Sequence, residues 1–152
     1  GTLKHELLHL LMHSNFQAVP PWMDEGLSAL YDVSVFNDSV LTGMHNWRGN
    51  IIKSNLGEVQ SGEFSPLKIL TDYSWEKSTR AERYQPLINA VIRYFFMYLQ
   101  EKELLQNYIL KIKEYSPDNS ERFFIEELEK VSGMSLNDLN KQYYQWLAET
   151  VK

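Results

Sequence analysis

Cysteine is absent from these 152 residues. Disulfides and thiolate metal sites are thereby excluded, and any metal must rest on His, Glu or Asp. Cations are in deficit, with fifteen Lys and Arg against twenty Asp and Glu and a net charge of −5. A broad nucleic-acid footprint needs clustered basic residues, so that class is excluded, and nothing here attracts an anionic membrane surface. The longest apolar stretch, Val91 to Leu99, is interrupted by Arg93 and is too short to span a bilayer. No signal peptide is visible, although an opening Gly1 in place of Met leaves room for a removed leader. An acidic chain without Cys suits a bacterial envelope and the cytoplasm alike.

What is present is a globular composition, 43% hydrophobic, 23% charged and 13% aromatic. That length and make-up suit one domain over residues 1–152 with one real core. Glycine and proline are few and punctuate a mostly helical pattern. Thr2 can cap a first helix to about Ser14, with Leu3, Leu7, Leu8, Leu10 and Leu11 on its apolar side. After a loop, Pro21 opens a second helix, Trp22 to about Asp32. Residues 33–44 read as loop with short strands and a turn at Asn37-Asp38. A third helix spans Asn46 to Leu56 with Gly57 as a left-handed cap. A short helix follows over Ser65–Leu70, then an irregular stretch over Thr71–Ala81. Helical pattern resumes from Arg83 to Gln100, with Leu87, Ala90, Val91, Tyr94, Phe95 and Tyr98 at core spacing. Helices over 101–114, 119–131 and 135–150 complete a mainly α domain of about seven helices. Gly133 marks a stop and Ser135 with Asp138 a capping box. The acidic run Glu121–Glu129 reads as an amphipathic helix with a solvated face.

Residues 5–9 read His5-Glu6-Leu7-Leu8-His9. Positions i and i+4 of a helix stand about 40° apart around the axis and about 6 Å along it. Two imidazoles so placed can converge on one cation. Glu6, rotated by about 100°, flanks that cation without being forced to bind it, as a general base for a zinc-activated water would. With four His and fourteen Glu in the chain, chance yields this pentad in roughly one such sequence per hundred. A zinc site open for catalysis needs a third protein ligand. Glu25 offers one, carried by a second helix that the loop from Asn15 can fold back against the first. Asp32, two turns beyond Glu25, either orients a ligand His from behind or is simply exposed.

The pairing of H-E-L-L-H with Pro21-Trp22-Met23-Asp24-Glu25-Gly26-Leu27-Ser28-Ala29-Leu30-Tyr31 resembles the gluzincin metallopeptidases. That clan includes the membrane-alanyl and leukotriene-hydrolase types of aminopeptidase, and the short spacer here is similar to its small peptidase-like families. The resemblance implies one zinc held by His5, His9 and Glu25, Glu6 as general base, and a peptide or protein substrate. Glu82-Arg83-Tyr84-Gln85-Pro86 is similar to the opening of the clan's tyrosine helix. That likeness implies Tyr84 as hydrogen-bond donor to the oxyanion, with a plain core aromatic as the alternative. The Lys-Gly that follows this tyrosine in the aminopeptidases is missing, as is the Gly-x-Met-x-Asn stretch that binds a free N-terminus. Clan members place a β-sheet ahead of the zinc helix. None fits before residue 3, so an upstream domain of the same protein, or a reduced descendant, is expected.

His13 stands about 12 Å along the helix from His5, too far to share one zinc with both His5 and His9. His45 reads as a solvated loop residue and Trp22 as packing beneath the zinc helices. A metal-binding but catalytically silent interaction domain is the competing reading.

Overall fold

The computed structural model describes residues 3–61, 79–120 and 122–152. Among them the chain is mainly helical, with eight helices and one two-stranded sheet. Helices α1 (Leu3–Asn15) and α2 (Pro21–Tyr31) come first, then strands β1 (Ser34–Asn37) and β2 (Val40–Gly43). Helices α3 (Arg48–Ser54), α4 (Leu56–Gln60), α5 (Thr79–Glu101), α6 (Leu105–Ile112), α7 (Phe123–Ser132) and α8 (Leu136–Thr150) follow. The expected Thr2 cap and the expected helix over 65–70 lie outside the described residues, as does the irregular stretch up to residue 78. No described helix is long and apolar enough to cross a membrane.

The core is built around α5. All six positions expected at core spacing are buried, and so are Ile88, Ile92, Phe96, Met97 and Leu99. A helix apolar on every side belongs in the middle of a domain, and α2, α3, β2, α6 and α8 all pack against this one. It starts at Thr79, so residues 79–81 are helical and Pro86 falls inside the helix. Trp22 is buried and stacks on Phe96, with ring centroids 5.8 Å apart.

Several expected boundaries move, each for a local reason. Residues 33–44 form an antiparallel hairpin in which Ser34 faces Gly43 and Asn37 faces Val40. Asp38 (φ 45°) and Ser39 (φ 68°) make its two-residue turn in the left-handed region without a glycine. The single helix expected over 46–56 is two helices. Asn55 breaks it (φ −124°, ψ 24°) while its side-chain Nδ2 donates to the carbonyl of Ile51, and Gly57 sits inside α4, not in a left-handed cap. The helix expected from Glu101 begins only at Leu105. Glu103 takes φ 59°, its N–H donates to Gln100, and the N–H of Leu104 donates to Leu99. That is a Schellman ending made without glycine. Gly133 (φ 67°) ends α7, and Ser135 caps α8 by accepting from the N–H of Asp138, as expected. On α7, Glu127 is buried beside Lys130, so its acidic face is not wholly solvated.

The leucines of α1 depart furthest from expectation. Leu3 is 86% and Leu10 70% exposed, Leu7 and Leu11 about half, and Met12 alone in this helix is buried. The face turned towards α2 carries the histidines instead.

Candidate metal centre

Pro20 (φ −61°, ψ 143°) and Pro21 launch α2 after a five-residue loop, which returns it along α1. Gly26 sets how closely α2 approaches α5. A Cβ there would lie 2.4 Å from Ile92 Cγ2 and 2.6 Å from Phe96 Cδ2. The acids just ahead of Gly26 are thus held against the histidine stripe of α1.

His5 Nε2 and His9 Nε2 stand 3.0 Å apart. Glu25 faces both, its Oε2 lying 3.8 Å from His5 Nε2 and its Oε1 3.7 Å from His9 Nε2. Two nitrogens bonded to one tetrahedral zinc at about 2.0–2.1 Å lie roughly 3.4 Å apart, so the set is within a few tenths of an ångström of such a geometry. The opposite ring nitrogens face carboxylates. Asp24 Oδ1 lies 2.8 Å from His9 Nδ1, and Asp32 Oδ1 lies 3.6 Å from His5 Nδ1. An ionised carboxylate only accepts, so in its neutral form His9 carries its proton on Nδ1 and turns the lone pair of Nε2 towards His5 and Glu25. The two Nε2 atoms lie within hydrogen-bond distance of each other, the donor depending on which ring carries its proton there, and a cation held between them would replace that contact. Among the described residues, His5, His9 and Glu25 form one of two side-chain groups able to hold a metal; His9, His13 and Asp24 form the other.

Asp32 is far from exposed. Its side chain keeps 7% of its surface, and its Oδ2 accepts from Arg48 Nη1 at 2.9 Å. Glu6 is exposed on α1 beside His5. Tyr84 is half-buried against the core. A cavity of about 490 Å³ opens beside Glu25, walled by His13, Val19, Asp24 and, from α5, Gln85 and Asn89. Gln85 Nε2 donates to Asn89 Oδ1 at 2.7 Å. His45 is exposed, with Nε2 3.8 Å from Glu101 Oε1.

The sequence reading missed Asp24, whose signal was chemical: a ligating imidazole usually leans on a carboxylate, and an acid directly precedes Glu25. It also missed Arg93, fully buried, whose Nε donates to the carbonyl of Ala29 at 2.9 Å. Nη2 reaches the carbonyls of Leu30 and Met44. This guanidinium ties the end of α2 to the end of the hairpin, and burial lowers its pKa to about 10. Neither family models, curated proteins nor solved structures give a match to this chain.

Proposed function

We propose that this chain is a zinc-dependent peptide hydrolase of gluzincin type, with the metal on His5, His9 and Glu25. The observation that carries the reading is the approach of two ring nitrogens to 3.0 Å beside a carboxylate, each ring backed by a further acid. Zinc held there would supply a Lewis acid and a more acidic water. The chain's own groups do the rest. Glu6 takes the proton of the attacking water and returns it to the leaving amine. Tyr84 donates its hydroxyl to the oxyanion. Asp24, in hydrogen-bond contact with His9 Nδ1, fixes that ring, and Asp32 adds a negative charge 3.6 Å from His5 Nδ1. A β-sheet from an upstream domain of the same protein belongs to this reading, since the exposed leucines of α1 offer it an apolar seat.

A catalytically silent zinc domain is the second reading. It is favoured by the cavity beside Glu25, whose described lining residues come from helices and loop, with no strand among them along which a peptide could extend. Two measurements separate the possibilities. Protein purified without chelator or nickel resin and then dialysed should hold one zinc per chain, and Glu25→Ala should hold none. Glu6→Gln should keep the zinc while losing peptide hydrolysis about 10²–10⁴-fold. Wild-type turnover in Glu6→Gln would remove the base, and a zinc-loaded wild type inert towards a peptide library would leave the silent domain.

A further inference from the structure

The histidines of α1 do not stop at the second one. His5, His9 and His13 recur every four residues, and their rings follow one another along the helix with centroids 4.7 Å and then 6.5 Å apart. Opposite them α2 offers two consecutive acids. Glu25 faces the first pair of rings and Asp24 the second. Asp24 uses both oxygens, Oδ1 towards His9 Nδ1 and Oδ2 towards His13 Nε2, each at 2.8 Å.

We infer that His13 and Asp24 form a second, weaker divalent-cation site, joined to the first through the Asp24 carboxylate. Suitable atoms of His9, His13 and Asp24 all lie within 4.8 Å of one another. His13 and Asp24 also border the cavity beside Glu25, where water can complete a coordination shell. His13 is 65% exposed, so it can move its proton to Nδ1 and free Nε2 for an ion at little cost. An imidazole and a carboxylate suit zinc or its neighbours better than calcium or magnesium.

The ranking of the two sites follows from lone pairs. A neutral imidazole has one, and His9 turns it through Nε2 to the first site. The second site therefore has two protein donors, His13 Nε2 and Asp24 Oδ2, against three in the first. An ion on Oδ2 draws charge from the carboxylate that backs His9, so each ion weakens the other. By linkage the penalty is equal in both directions, typically about 5–150-fold for coupled sites.

The inference rests on the proposed zinc centre only for this coupling, and the test separates the two. The full chain, stripped of metal and titrated with zinc against a chromophoric chelator, should take two equivalents, the second held at least about tenfold more weakly. Nitrogen-detected NMR should show His13 Nε2 shifting with the second equivalent alone. His13→Ala, a change at an exposed position, should take one equivalent at undiminished affinity. His5→Ala should lose the tight equivalent and keep the weak one. Two equivalents in His13→Ala, or a single equivalent in both the wild type and His13→Ala, would overturn the second site and leave the first standing. No zinc uptake by the wild type would overturn both.

Discussion

Asp24 Oδ1 lies 2.8 Å from His9 Nδ1, although the residue that faces the other nitrogen of that ring is the very next one, Glu25. Two adjacent carboxylates thus address the two sides of one imidazole. Asp24→Asn removes the acceptor-only partner and leaves the fold of α2 intact. Zinc affinity should fall about 10–100-fold, measured by chelator competition, while the metal-free protein keeps its helical content. An unchanged affinity would deny Asp24 its role.

Gly26→Ala should be destabilising. The added Cβ meets Ile92 and Phe96 at 2.4–2.6 Å, and overpacking of a core costs typically about 1–3 kcal/mol. Because α2 must back away from α5 with both acids on it, zinc affinity should drop as well. Gly57→Ala is the control. Its Cβ meets nothing within 4 Å inside a helix, so stability should hold or rise by about 0.5–1 kcal/mol. Thermal unfolding of the two variants should move in opposite directions.

Arg93→Met should cost about 2–4 kcal/mol, because it leaves the carbonyls of Ala29, Leu30 and Met44 short of donors in the interior. Burial holds the Arg93 pKa at about 10, below the ordinary guanidinium range. A depressed cationic pKa means that the unfolded chain keeps its proton to higher pH. The penalty for burying the charge is therefore constant below about pH 10 and eases above it. The stability difference between the wild type and Arg93→Met should accordingly be flat from pH 6 to 9 in urea titrations. A slope in that window would contradict this assignment.

Zinc removal should be felt first by α1. That helix buries little besides Met12, so its attachment to α2 depends on the histidines and acids between them. At free zinc a hundred times the dissociation constant, binding adds about 2.7 kcal/mol to stability. Hydrogen exchange should show the amides of residues 7–15 losing protection on chelation while those of 88–99 keep theirs. Uniform loss across the chain would argue against a local attachment.

The candidate site was largely legible in the sequence, since ligand spacing on a helix is fixed by 3.6 residues per turn. That spacing puts His5 and His9 on one face, and Glu25, expected from the second helix, lies beside them. What stayed hidden depends on tertiary approach. Asp32 was legible as one of two alternatives, but nothing local tells that Asp24 backs His9 or that Arg48 holds Asp32. The fold follows the same division. Gly133 and Ser135 behave as their chemistry dictates, whereas the helix ending at Glu103 and the turn at Asp38-Ser39 use left-handed residues without the usual glycine. The leucines of α1 misled for a related reason. Periodicity shows that a helix has two faces, and which one is covered depends on what lies opposite.

Arg93 also bears on how the chain assembles. The carbonyls it gathers come from residues 29, 30 and 44, while the guanidinium arrives from almost fifty positions later than the nearest of them. An excised peptide of the first forty-five residues would carry every proposed zinc donor and still lack the clasp that closes α2 onto the hairpin. Such a peptide should grip metal poorly, and the histidine pair should reach its working geometry only after the central helix has docked.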